Sequence, residues 1–273
     1  MPHLFFIDTA HVDLAQMAVG ILLAALITII SYHFKLLSFG GSVATFLLAT
    51  IIYGIGGWVW TVPILTFFIS SSLLSKIGKS KKKKFESIFA KTDRRDEGQV
   101  AANGGTAGIL ILLWFMYPES LEIYLLYTAS LGAVAADTWA TEIGTLAKRK
   151  PVSIISWKEV EPGTSGGVSC IGLIGGIAGA FLVICSAWLM QSGLFSFSII
   201  VKLLTVSTIA SLIDSIIGTT LQAKYKTEDG IVTEKTFYNE KPTAFIHGIR
   251  WINNDIVNWC CAISGVVVMY ILM

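Results

Sequence analysis

Charge is scarce in this chain: Asp, Glu, Lys and Arg make up 14% of 273 residues, against 54% hydrophobic. That balance excludes an ordinary soluble domain, in which about a quarter of residues are charged. The four histidines, His3, His11, His33 and His247, are scattered, and no Ser-His-Asp order stands out among them; His247 falls in an inner loop, where a role is open but unsupported. The four cysteines, Cys170, Cys185, Cys260 and Cys261, all fall in apolar segments without metal-ligand spacing, and they read as packed thiols rather than bridges. There is no P-loop and no protein-kinase motif. Residues 1–13 lack a basic n-region and a small-residue cleavage site, so no removable signal peptide is expected. Internal repetition is also weak. Only Gly104-Gly105 and Gly166-Gly167 start apolar runs in a similar way, which does not support a duplicated transporter.

What the chain does have is apolar length. Runs at about 14–31, 41–58, 59–75, 104–117, 121–138, 169–190, 196–219 and 255–272 read as spans against the ~20 residues a helix needs to cross a bilayer, and the shorter ones are expected to enter tilted or to stop at a cleft. Eight spans with both termini outside put nineteen of the twenty Lys and Arg on one side, Lys202 being the exception. Asp8, Asp13, Glu119 and Glu122 lie opposite. This is the positive-inside pattern. A single span over 41–75 would break it, so Gly54-Ile55-Gly56-Gly57-Trp58 is predicted to be a tight outer turn. The expectation is one all-α polytopic membrane domain over 1–273, with inner loops at 76–103, 139–168 and 220–254. Lys79 and the run Lys81–Lys84 read first as an anchor on anionic lipid, and also as an attractor for a polyanionic substrate.

Five polar strings sit on the inner side. In the first, Lys91 to Gly105, Gly104 and Gly105 are expected to open a helix whose free N–H groups face an anion. Asn103 is a cap or a ligand, and Arg94 and Arg95 are a phosphate clamp or solvated charges. In the second, Asp137-Thr138-Trp139-Ala140-Thr141-Glu142, two carboxylates end an apolar span. Such acids need lysine partners or a cation, and an oxygen-only set favours Mg²⁺. In the third, Glu161-Pro162-Gly163-Thr164-Ser165-Gly166-Gly167-Val168-Ser169, amides and hydroxyls precede a helix near Lys158. It reads as a phosphate cradle or a plain turn. The fourth places Asp214 inside a span, with Ser211 and Gly218 one turn either side and Gln222 beyond. It reads as a functional acid or one bonded to a neighbouring helix. The fifth is Asn253-Asn254 with Asn258 on the face of Asn254, where Asn253 or Asn254 could serve only as a cap. Phosphate cradles, metal-binding acids and basic clamps together are the parts phosphoryl transfer needs.

These strings resemble the family of transmembrane protein 19 and the plant phytyl-phosphate kinases, integral membrane domain of unknown function 92. The likeness rests on Gln99 to Gly105, Ala136 to Gly144, Pro162 to Val168, Asp214-Ser215 with Gly218 and Leu221-Gln222, and Asn253-Asn254 with Val257-Asn258. It runs from about residue 35 to the C-terminus. A more distant likeness is to the CTP-dependent dolichol and phytol kinases, through Asp137, Ala140, Gly144, Lys158, Gly163, Thr164 and Gly166. The Glu that precedes Gly-Thr there is replaced by Pro162 here, with Glu161 one position earlier. The resemblance implies a membrane kinase for an isoprenoid monophosphate of phytyl or geranylgeranyl type, with Mg²⁺ and CTP or ATP as co-substrate and the site facing the cytoplasm. On that reading Asp137, Glu142 and Asp214 are catalytic and hold Mg²⁺, and Lys158 with Gly163, Thr164, Ser165, Gly166 and Gly167 holds the donor phosphates. Arg94, Arg95 and Asn103 hold the acceptor phosphate or the leaving group, and Gly104, Gln222, Asn254 and Asn258 complete the phosphate and nucleotide site. A nucleotidyltransferase making a CDP-lipid and a carrier of lipid phosphates are the alternatives. The partners are a membrane lipid and a nucleotide, not a nucleic acid. Self-association is left open.

Overall fold

In lipid, a chain must satisfy its own backbone, so each apolar run is driven into helix. The computed structural model describes residues 13–77 and 94–273. It contains α1 (Leu14–His33), α2 (Phe39–Lys76), α3 (Glu97–Met116), α4 (Glu122–Gly144), α5 (Cys170–Met190), α6 (Phe197–Thr220) and α7 (Asn254–Leu272). The lysine run at 79–84, residues 91–93 of the first polar string, and Asp8, His3 and His11 lie outside the described residues.

α2 is 38 residues long, but Gly57 breaks it at φ 56°, ψ −151°, a conformation open essentially to glycine. The chain reverses there. Gly41 of the first limb abuts the Arg95 carbonyl, and Phe67 and Phe68 of the second limb lie under the Arg95 guanidinium. The predicted turn at 54–58 is therefore present. Its loose ends are tied from outside: Gln16 Nε2 donates to the carbonyls of Tyr53 and Gly54 at 3.1 and 3.0 Å. Pro63, inside the second limb, has no N–H for the Val59 carbonyl, and the Tyr124 hydroxyl donates to it instead at 3.0 Å. Trp60, Trp114, Tyr124, Tyr127 and Phe195 pack around this turn as an aromatic cluster.

Among the described residues, six helices are long and apolar enough to cross a membrane, and α4 is not one of them. With α2 folded in two and α4 included, the described helices occupy the places of the eight expected runs. α4 is the hub of the bundle. Every residue from Tyr127 to Ala136 is buried, on all sides of the helix, so other helices and not lipid surround it. Small residues let the neighbours approach its backbone: Gly176 of α5 and Gly265 of α7 face the carbonyls of Ala136 and Ala129. Lys202, the exception to the charge pattern, donates to the Leu272 carbonyl at 2.6 Å and so completes the end of α7.

One expectation is corrected. Gly104 and Gly105 do not open a helix. Asp96 and Gln99 form a capping box, so α3 starts at Glu97, and the two glycines lie within it against Leu48 and Trp259. Asn103 is accordingly not a cap. The inner loops carry short strands. β1 (Val152–Ser153) pairs antiparallel with β2 (Gly167–Val168). β3 (Lys224–Lys226) pairs with both β4 (Val232–Thr233) and β7 (Ala244–His247), while β5 (Phe237–Tyr238) pairs with β6 (Lys241–Pro242).

Candidate active site at the loop end of the bundle

Register along α4 and α6 brings Asp137 and Asp214 together. Ser207 faces Gly132, and one layer further Ala133, Ala210 and Cys261 form a buried cluster. Four residues on, along both helices, come Asp137 and Asp214, on the same faces one turn nearer the loops. Their side chains are within hydrogen-bonding reach of each other. Oδ2 of Asp214 is buried without a partner.

One turn beyond Asp214, the next layer is the glycine loop. A Cβ at Gly218 would sit 3.4 Å from Ser165 Cβ and 3.6 Å from the Gly166 amide nitrogen. Gly166 has φ 80°, and a Cβ there would run into Thr219 Oγ1 at 1.5 Å and the Ser215 carbonyl at 2.5 Å. Only glycine lets the loop lie this close to α6. Gly163 is also left-handed. The Thr164 amide donates to the Glu161 carbonyl at 3.0 Å and the Gly167 amide to the Thr164 carbonyl at 2.9 Å, while the β1–β2 pair anchors the loop's end. Ser169 then caps α5 by accepting from the Gly172 amide. Gln222, at 1% exposure, closes the layer with Oε1 3.3 Å from where a Gly218 Cβ would stand, and its Nε2 has no partner.

Two contributors carried no signal in the sequence. The Ser165 hydroxyl donates to Glu234, which lies just after β4, and Glu234 is also a charged neighbour of Asp214 and of Lys224 on β3. Burial lowers the Lys224 ammonium from its usual range, with Glu234 opposing the shift. Both residues belong to a polar hairpin with no apolar periodicity, so only the fold delivers them.

Glu142 does not join the aspartates. Five residues at about 100° each place it about 140° around the helix from Asp137. It is instead the charged neighbour of Arg95. Among the described residues no three His, Cys, Asp or Glu gather to hold a metal, so the expected set of Asp137, Glu142 and Asp214 is not assembled. Arg95 is fixed by its backbone, whose N–H donates to the Leu36 carbonyl and whose carbonyl accepts from Ser38, both at 3.0 Å. Burial lowers its pKa to about 10, partly offset by Glu142, so it stays a cation at neutral pH.

The remaining expected residues divide. Arg94 and Lys158 are exposed. Glu161 is exposed and pairs with Lys150, whose pKa it raises. Asn103 is half-buried on α3, on the side of α2. Gly104 is a packing residue. Asn253 is the cap of α7, accepting from Ile256 N at 3.1 Å, so that of the two alternatives for this string the cap falls to Asn253. Asn254 begins the helix. Asn258 lies one turn toward the loops from Cys261, the residue that touches Ala133, and register therefore sets it level with the aspartates.

The model of the integral membrane protein DUF92 family matches residues 22–266. Protein PGR of Arabidopsis thaliana is 31% identical over 227 residues, covering 74% of this chain and 78% of its own. An uncharacterized membrane protein of Methanocaldococcus jannaschii, MJ0933, is 29% identical, covering 80% and 88%. Protein VTE6, chloroplastic, of Arabidopsis thaliana is 25% identical, covering 81% and 61%. No solved structure matches the chain.

Proposed function

We propose, for a chain that belongs to the integral membrane protein DUF92 family, that it is a membrane-embedded phosphotransferase. It would move the terminal phosphoryl group of a nucleoside triphosphate onto an isoprenoid monophosphate. The observation that carries this reading is the pairing of Asp137 and Asp214 one turn of α6 from the glycine loop Gly163–Gly167. One carboxylate oxygen and the Gln222 amide are left unsatisfied there. A structural role alone would leave those buried groups uncompensated.

The residues present fit Mg²⁺. The ion commonly takes one or two carboxylates and completes its shell with phosphate oxygens and water, and an unpartnered Asp214 oxygen beside Asp137 offers that. When bound, it would neutralise charge on the donor phosphates. The chain's own groups do the rest. The Ser165–Gly167 segment and Gln222 orient the donor, with Glu234 fixing the Ser165 hydroxyl. An acceptor oxygen attacks the terminal phosphorus while the bond to the bridging oxygen breaks, and the nucleoside diphosphate leaves. The acceptor is already a phosphate whose second pKa is about 6, so it arrives ionised, and no general base is required. His247, exposed and 3.1 Å from the Thr219 carbonyl, is not needed as one. The positive-inside pattern supports a cytoplasmic site.

The test uses purified protein in lipid nanodiscs with Mg²⁺, phytyl or geranylgeranyl monophosphate, and ATP or CTP separately. Product masses are read against Asp137→Asn. An isoprenoid diphosphate that disappears in the variant is expected and names the donor. A lipid–nucleotide adduct with pyrophosphate release would replace this reading with a nucleotidyltransferase.

A further inference from the structure

We infer that a single-chain lipid monophosphate binds with its tail between α1 and the two limbs of α2 and its phosphate in a cationic pocket one turn beyond. The inference rests on the kinase reading only for naming this lipid as the acceptor.

The tail site is a cavity of about 240 Å³ with almost entirely apolar walls. Leu23 and Ile27 of α1 face Leu48, Ile52, Ile64 and Phe68 of α2 across it. From Gly20 to Ile30, α1 rises about 15 Å, so the space is long and narrow. It suits one extended chain and not the paired tails of a phospholipid. Its far end lies at the Gly57 reversal, where Tyr53 and Trp58 meet edge to face at 5.2 Å. Its near end is polar, with Arg95, Gln99 and Asn103.

Arg95 also lines a second cavity, of about 270 Å³, together with Phe34, Lys35, Ser72, Ser75 and Lys76. Ile30 to Phe34 and Phe68 to Ser72 are each one helical turn, so this pocket continues the groove along the same two helices. Among the described residues three cations line it and no carboxylate does. The Ser72 side chain is buried at 5% exposure, and its hydroxyl has no partner. Lys35 sits at φ 56° as the left-handed residue that ends α1, its N–H donating to the Tyr32 carbonyl and that of Leu36 to the Ser31 carbonyl, and this cap fixes the backbone from which its ammonium reaches the pocket. An apolar slot ending in three positive charges and an unused hydroxyl complements one tail carrying one phosphate.

The experiment is photolabelling in nanodiscs without nucleotide, using geranylgeranyl monophosphate with a diazirine at the tail end. Label is expected in α1 near Gly20 and in α2 between Tyr53 and Trp58. Geranylgeraniol should compete at least about tenfold more weakly than the phosphate, and Lys35→Gln with Lys76→Gln should together weaken labelling by roughly 30-fold, since each charge near a phosphate is worth about fivefold. Trp58→Ala should shift preference to longer chains. Label elsewhere, equal competition by the alcohol, or displacement by dioleoyl phosphatidic acid at equal concentration would overturn the inference. Normal labelling with no turnover on any nucleotide would sink the kinase reading alone. Unchanged turnover and KM in Ala49→Phe, which fills the groove, would sink this inference alone. Should Ala49→Phe lose its folded melting transition, the lysine pair decides the matter.

Discussion

At the scale of single residues, the proposed chemistry falls on groups that the fold leaves uncomfortable. Asp214 sits against another carboxyl with one oxygen unsatisfied. Asp214→Asn removes that conflict and is expected to raise unfolding stability by about 0.5–2 kcal/mol. Turnover should fall by at least about 100-fold, more than the loss of an outer-shell partner costs. Thermal unfolding and product formation measured on one preparation check both halves, and a variant that lost both would mark Asp214 as structural. Gly166→Ala places a methyl group against Thr219 and the Ser215 carbonyl at positive φ. The backbone alone costs about 1–2 kcal/mol. The loop must lift from α6, so the nucleotide KM should rise by about tenfold or more. An unchanged KM would show that the loop does not touch the donor.

At the scale of elements, helix ends and breaks are where the residues decide most. Tyr124→Phe leaves the Val59 carbonyl with neither the Pro63 amide it cannot have nor a hydroxyl. The expected loss is about 1–3 kcal/mol in unfolding, with kcat retained because the site lies at the other end of α4. A stable variant would show that water or backbone adjustment satisfies that carbonyl. The turn at Gly57 was legible because Lys35 and the 76–95 segment had to share a side, which is a long-range electrostatic constraint. The start of α3 was not. Glu97, Gln99 and Asn103 are polar, so the apolar run marks only the later turns of the helix, and the Asp96–Gln99 capping box sets the true beginning. The five-residue spacing that turns Glu142 away from Asp137 was already in the sequence, but its meeting with Arg95 was not.

At the scale of the whole molecule, much was readable because lipid imposes a simple rule on length and charge. Asp137, Asp214 and the glycine loop each stood out singly. Their meeting depended on the layers Gly132–Ser207 and Ala133–Ala210, which composition does not encode, and Glu234 and Lys224 come from a hairpin without periodicity. Orientation can be tested directly. In a variant without its native cysteines, Ser156→Cys beside β1 should react with an impermeant maleimide only from the cytoplasmic side. Ser192→Cys, in the turn Ser192–Leu194 between α5 and α6, should react only from the opposite side. Labelling of both from one side would invert or break the topology.

The character of α4 has a consequence for how the protein is made. It carries Asp137 and Glu142, is the helix most enclosed by others, and is not among those apolar enough to cross a membrane unaided. A ribosome delivering the chain in order presents α4 before α5, α6 and α7 exist to surround it. Its retention in the bilayer should therefore wait on later synthesis. Chains truncated after Gly144 should be extracted and degraded, while those reaching Leu272 persist. Pulse-labelled nascent chains of increasing length would reveal that threshold, which would make the helix that carries Asp137 also the checkpoint for assembly.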